Sequence, residues 1–243
     1  MPSQQVVSEL APTGTLRAAI NMGNFLLVTG RSPSGDPAGV APDMAREIAE
    51  RLGVPIAYVP YARPGELADA ADSGVWDIGL IGAEPQRAEK IAFTPAYVEI
   101  EATYLVPAGS SLRSIAEVDR PGVRIAVTAR SAYDLWLERN IKEARLVRAE
   151  GGDAAFRQFV DDKLDAYAGL RPGLISLAEK LPGARILDGK FTAVQQAIGT
   201  SRRNAAAAAF LRDFVAEAKT SGLIARLIDK HGVTGRLSVA PPA

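Results

Sequence analysis

Short β-branched runs alternate along the chain with segments whose apolar residues recur every three or four positions, the pattern of α/β units around largely parallel sheets. Residues 16–20 (LRAAI) predict a first strand. The stretch that follows, 21–39, is rich in Gly, Pro, Ser and Asn and predicts a long loop at the carboxyl end of that strand, where α/β folds hold ligands. Pro42 opens a predicted helix in which Met44, Ala45, Ile48, Ala49 and Leu52 share a face, and Gly53 stands where a C-cap glycine ends it. A strand at 56–59, a helix at 65–73 and a strand at 76–81 complete a βαβαβ set that breaks at Gly82. A helical turn with an extended exit fills 82–95, and 104–107 predicts a strand leaving the set.

The pattern then restarts after a connector at 109–120. Strands are predicted at 123–127, 145–148, 165–168 and 184–187, with helices at 131–140, 153–161 and 172–180 between them. The stretch 193–200 predicts a strand returning to the first set, followed by helices at 203–220 and 223–231, while 237–243 predicts a frayed tail. This order predicts two lobes, 14–105 with 197–235 and 106–196, joined by two crossings that form a hinge.

Composition narrows the chemistry. Twenty-eight basic residues balance 28 acidic ones, so no global field draws in nucleic acid or an anionic membrane. The chain has no cysteine and one histidine, His231, which removes thiolate chemistry and restricts acid–base and metal chemistry; no cofactor or metal is implied. Residues 1–13 hold neither a basic start nor an apolar run, so they do not read as a secretory signal. No paired carboxylates, Ser/His/Asp set, HExxH or phosphate-cradling GxxxxGK is present.

From residue 14 to residue 231 the chain resembles a known family. GTLRAAI at 14–20, GVAPDMAREIAERLG at 39–53, WDIGL at 76–80 and QRAEKIAFTPAY at 86–97 are similar to motifs of the periplasmic solute-binding proteins of the polar-amino-acid type, which serve bacterial ABC importers. VRIAVTARSAYDLWL at 123–137 and KLDAYAG at 163–169 are similar to that family's second-lobe strand-to-helix turn and second ligand strand. The resemblance implies a two-lobed type II periplasmic-binding fold, a monomer that closes on one small anionic or zwitterionic solute, a membrane permease as partner, and a periplasmic location. With no export signal in this sequence, a cytoplasmic role stays open.

The resemblance assigns Arg87, before the IAFT motif, to the solute's carboxylate. A guanidinium fork offers two parallel donors to a carboxylate and keeps its charge on burial. Ser131 and neighbouring amides at a helix start suit the same anion, and plain N-capping explains Ser131 equally. Where the family has hydroxyl donors this chain has Gly79, Leu80 and Gly82, and its ammonium-binding aspartate falls near Leu170. Arg130 and Arg171 instead argue for a second carboxylate or another anionic group, hence an organic acid and not a simple α-amino acid. Asn24 and Phe25 stand where the family stacks an aromatic lid, and Tyr97 follows IAFT; for Phe25 and Tyr97, core packing is the competing reading. Trp76 and Trp136 read as packing, and Gln195 and Gln196 lie on the return strand. Cyclohexadienyl dehydratases also resemble this family, with Glu84 or Asp153 as candidate general acid here, so a dehydratase is the rival reading. A ligand-sensing regulator is a further one.

Overall fold

A computed structural model describes residues 2–242 of the chain. They divide into two compact units, one made of residues through Glu99 together with those from Gln195, the other of Ile100–Val194. Two strands, Val98–Val106 and Thr192–Ser201, carry the chain from unit to unit. The crossings fall at 99/100 and 194/195, against 105/106 and 196/197 in the sequence-based boundaries.

In the first unit three parallel strands lie in the order Ile56–Tyr61, Leu16–Asn21, Ile78–Gly82. Residues 196–199 of the crossing strand then pair antiparallel with Gly82–Gly79, and Ile91–Phe93 pairs with residues 199–201. Gly199 is needed there, because a Cβ would come 2.2 Å from Ile91 Cγ2. Helix Val40–Leu52 buries the predicted face of Met44, Ala45, Ile48, Ala49 and Leu52, and Gly53 ends it in the left-handed conformation at φ 68°. The helix starts two residues before Pro42. Gly39 fixes that start, since its φ of 152° and a virtual Cβ 2.2 Å from the Leu27 carbonyl oxygen leave no room for a side chain. The third strand begins at Ile78 and not at Trp76, whose indole is buried and donates to the Leu67 carbonyl at 3.2 Å.

In the second unit the order is Val98–Val106, Ala166–Leu170, Arg124–Thr128, Arg145–Ala149, with the first pair antiparallel and the others parallel. Apolar clusters cover both faces of its central strands, while the edge strand Arg145–Ala149 exposes its two arginines. Ile125 and Val127 pack with Tyr104 and Leu137 on one side, while Ala126 packs with Phe159, Tyr167 and Leu174 on the other. Phe191 joins the first cluster through Tyr104 and Trp136, with ring centroids 4.6 and 5.4 Å away.

The same device fastens a strand start in each unit. Arg17 donates its backbone N–H and its Nε to Asp77 Oδ2 at 2.8 and 3.0 Å, and its Nη2 to Oδ1 at 2.7 Å. Arg124 donates its backbone N–H and Nε to Asp165 Oδ2 at 2.8 and 3.3 Å. In both cases the aspartate lies just ahead of a neighbouring parallel strand, so one carboxylate sets the register of two strands.

Both chain ends are tied to the first unit. Residues Gln4–Leu10 form a helix that burial of Val6 and Leu10 holds in place. Glu9 Oε2 accepts from the Ala207 N–H at 2.8 Å, capping helix Ala205–Thr220, whose own N-cap residue Asn204 makes no side-chain cap bond. The expected frayed tail is corrected as well: Ser238–Val239 pairs with Val98–Glu99, the Ala240 N–H donates to the Tyr97 carbonyl at 3.1 Å, and Leu237 and Ala240 are buried. Main-chain pairing and apolar burial here outweigh the fraying expected of a proline-rich chain end; Ala243 lies outside the described residues. No helix among the described residues is long and apolar enough to cross a membrane.

His231, the C-cap of helix Leu223–Lys230, meets Asp43 in the first turn of helix Val40–Leu52. Asp43 Oδ2 lies 2.8 Å from His231 Nε2 and 2.7 Å from Lys230 Nζ, and Oδ1 lies 3.2 Å from Arg46 Nη2. Burial works against the Asp43 charge, but these donors prevail and hold its carboxyl below its ordinary value.

Two outcomes follow. Glu9→Ala should destabilise the fold by about 1 kcal/mol, the usual worth of a helix cap, read as a lower urea midpoint at unchanged slope; an unchanged midpoint would show that the cap contributes nothing. Because the folded-state pKa of Asp43 is depressed, its contribution is present above the ordinary carboxylate range and is lost as pH falls through the folded value. Asp43→Asn should lower Tm at pH 7 by about 2–4 °C, the shift that roughly 1 kcal/mol produces at this chain length, and the gap to wild type should close toward about pH 3. A gap that stays constant from neutral to acid would contradict the assignment.

Candidate functional site

The carboxyl end of strand Ile78–Gly82 runs into a four-residue helix, Pro85–Ala88, with Pro85 at its first position and Glu84 as N-cap. This turn folds the Arg87 side chain back over the strand end, where Nη1 donates to the Gly82 carbonyl at 2.8 Å. Arg87 is 5% exposed and Glu84 7%, so the structure brings a guanidinium and a carboxyl group together on one buried turn. A buried guanidinium stays charged and requires acceptors. A guanidinium fork is a group that can receive a carboxylate.

The long loop after strand Leu16–Asn21 opens with Asn24, which is buried and accepts from the Leu26 and Leu27 N–H groups at 3.2 and 3.3 Å. Its side-chain oxygen therefore shapes the loop. Phe25, next in sequence, is 47% exposed, with the Arg236 guanidinium carbon 5.8 Å from the ring centroid. Tyr97 is fully buried and its hydroxyl has no hydrogen-bond partner, and burial pushes its pKa far above the ordinary value. Of the two aromatic candidates, Phe25 alone presents its ring at the surface. Gln195 donates to Glu99 Oε1 at 2.8 Å, and Gln196 is buried.

In the second unit, strand Arg124–Thr128 leads through a tight turn into helix Ala132–Asn140. Ser131 is the N-cap, its Oγ accepting from the Asp134 N–H at 3.1 Å. Arg130 adopts the left-handed conformation at φ 58°, and its N–H donates to Asp134 Oδ2 at 2.7 Å. The Thr128 hydroxyl is buried without a hydrogen-bond partner. This turn gathers Thr128, Arg130 and Ser131 beside helix amides that have no acceptor within the helix, an arrangement that favours negative charge.

Arg171 has a different situation from the one its sequence position suggests. Its Nε donates to Glu101 Oε2 at 2.9 Å and its Nη2 donates to the Gly189 carbonyl, while Lys190 reaches the same Glu101 at 3.4 Å. Despite the opposing effect of partial burial, these two cations hold the Glu101 carboxyl below its ordinary value. A second solute carboxylate would have to compete with Glu101 for Arg171.

Sequence reasoning leaves out three residues at or against the Thr128–Ala132 turn: Thr128, Asp134 and Arg148. Asp134 carries a signal, because SAYD at 131–134 has the Ser-x-x-acid spacing of a capping box. Arg148 carries none, since it comes from strand Arg145–Ala149 and meets Asp134 only through parallel pairing with strand Arg124–Thr128. Among the described residues, no three or more His, Asp or Glu residues gather as a metal site.

Comparison with known proteins agrees with this architecture. An ancestral amino acid-binding protein described as a precursor of cyclohexadienyl dehydratase has a TM-score of 0.74 at 20% identity, covering 92% of this chain and 97% of its own. A putative ABC-transporter binding component from Wolinella succinogenes, complexed with lysine, has a TM-score of 0.74 at 21% identity, with coverage of 90% and 95%. The amino acid ABC transporter substrate-binding protein AbpA of Streptococcus pneumoniae, bound to L-arginine, has a TM-score of 0.73 at 16% identity, with coverage of 91% and 96%. At these identities the likeness shows the fold, which is the two-lobed type II periplasmic-binding-protein fold. The cyclohexadienyl dehydratase of Pseudomonas aeruginosa is 28% identical over 163 residues, a match spanning 65% of this chain and 60% of that enzyme. The sequence pattern of one family matches residues 24–234, most of the chain. The chain belongs to the bacterial extracellular solute-binding proteins, family 3.

Proposed function

We propose that this protein captures a small carboxylate-bearing solute, an amino acid or organic acid, and releases it chemically unchanged to the permease of an ABC importer outside the cytoplasmic membrane. The observation that carries this reading is Arg87: a charged fork buried to 5% exposure at the end of a parallel strand, on a turn that suits an anion. The family and the amino-acid complexes of its structural neighbours support the solute class and the permease. Within the second unit, Ser131 and the amides of its turn are a separate candidate set of anion donors, and within the first Phe25 offers an exposed ring. Arg130 remains the candidate for a further anionic group, while the Glu101 pairing makes Arg171 the weaker of the two.

A dehydratase is the second reading, favoured by the Pseudomonas aeruginosa relative and by the burial of Glu84 beside Arg87. Incubation with prephenate or arogenate separates the two. Release of the aromatic product at turnover supports the enzyme; unchanged substrate supports the binding protein.

Ligand-stripped protein should show a raised Tm with at least one of L-arginine, L-glutamine, L-glutamate, succinate or 2-oxoglutarate, since a ligand bound only by the folded state stabilises it by mass action. Arg87→Ala should weaken binding of that acid by roughly tenfold to a hundredfold, the worth of hydrogen bonds to a charged group. Retained affinity in a folded Arg87→Ala protein would overturn the assignment.

A further inference from the structure

Two charged groups at the Thr128–Ala132 turn are left unused by the binding reading, Asp134 and Arg148. Asp134 is 2% exposed. Its carboxylate accepts from the Arg130 N–H at 2.7 Å and from Arg148 Nε at 2.8 and 3.1 Å, while its own N–H donates to Ser131 Oγ at 3.1 Å. Arg148 Nη2 also reaches Glu138 at 3.3 Å.

The geometric consequence is a fixed turn. Left-handed backbone is unfavourable at a residue other than glycine, and the Asp134 bond to the Arg130 N–H holds that conformation. It also decides which donors remain. The Ala129 N–H is taken by the Ala149 carbonyl, the Ser131 N–H by the Thr128 carbonyl and the Asp134 N–H by Ser131, which leaves the Ala132 and Tyr133 amides for a solute anion, while the Ser131 hydroxyl lies beside the Tyr133 phenol.

The electrostatic consequence is a conflict. The carboxylate that builds the turn is itself an anion within three residues of those donors, and like charges in a buried setting oppose each other. Arg148 donates to Asp134 and its positive charge counters that opposition. We propose that Arg148 is a positioning residue for solute capture: by neutralising Asp134 it lets a buried acid shape the Thr128–Ala132 turn without repelling the solute's carboxylate. The inference rests on the carboxylate-binding reading and adds to it a residue two positions removed from the solute.

The groups around Asp134 make the role testable by pH. Burial raises its pKa, the Arg130 N–H and the Arg148 guanidinium oppose that rise, and Glu138 adds to it; the Tyr133 phenol, itself held protonated by burial, also senses the Asp134 charge. Without Arg148, Asp134 takes up its proton at a higher pH and the repulsion should disappear on acidification.

The test is isothermal titration of the full chain with L-arginine and L-glutamate between about pH 5.5 and 7.5, a window in which the carboxylates of both stay ionised. The variants are Arg148→Gln, Asp134→Asn, the double variant and Arg87→Ala. Arg148→Gln should weaken binding about tenfold at the upper pH, a size ordinary for an uncompensated nearby charge, and recover toward the lower. Asp134→Asn, whose amide oxygen can still accept from the Arg130 N–H, should bind without the pH dependence of Arg148→Gln, and the double variant should stay within about threefold of Asp134→Asn. A purely structural role predicts instead that all three variants weaken together without pH dependence, which would overturn the inference. If Arg148→Gln does not fold, the double variant compared with Asp134→Asn decides: a further tenfold loss there contradicts charge neutralisation, and near equality supports it. An unchanged, pH-flat Arg148→Gln beside an impaired Arg87→Ala sinks the inference and spares the binding reading. Unchanged affinity in both, or no binding by wild type, overturns both.

Discussion

A guanidinium cannot discard its charge, so a chain that buries one must build acceptors around it. Arg87 imposes that constraint on the first unit. Strand Ile78–Gly82 brings the Gly82 carbonyl to Nη1, Pro85 starts a helix too short to carry the side chain away, and Glu84 is buried on the same turn. The neighbouring elements are arranged so that this strand end stays put. Asp77 clamps Arg17 at the other end of the strand, the Thr200 hydroxyl donates to the Asp77 carbonyl at 2.9 Å, and Gly199 lets Ile91–Phe93 close against the return strand.

The second unit solves a related problem with opposite charge. Its strand start is clamped by Arg124 and Asp165 in the manner of Arg17 and Asp77, which leaves the far end of strand Arg124–Thr128 free to carry a turn rich in donors. A buried carboxylate, Asp134, fixes that turn, and a buried carboxylate is costly unless paired. Arg148 supplies the pairing from the adjacent strand. Preorganised donors on rigid strand ends lower the ordering cost of binding a solute.

Local signals made much of this legible in the sequence. The apolar period placed the buried face of helix Val40–Leu52, Gly53 marked its end, and the alternation of strands and helices gave the α/β class. Arg87 stood out because its turn sits in a motif. What escaped depends on partners distant in sequence. Helix Gln4–Leu10 is held through Glu9 and Ala207, the C-terminal strand through Val98 and Tyr97, and Arg171 through Glu101. A composition-based reading of ends and loops has no access to such pairs. Tyr97 follows the packing reading that its sequence position favoured over ligand contact: the chain packs it wholly inside, with an unpaired hydroxyl.

The central claim is that Arg87 receives the solute's carboxylate. The most direct measurement is a crystal structure of the protein grown with the acid that gives the largest thermal shift. The account predicts carboxylate oxygens at about 2.7–2.9 Å from the Arg87 guanidinium nitrogens, the distance of a charge-assisted pair. A bound acid whose carboxylate rests on other donors, with Arg87 still turned only to the protein's own acceptors, would contradict it.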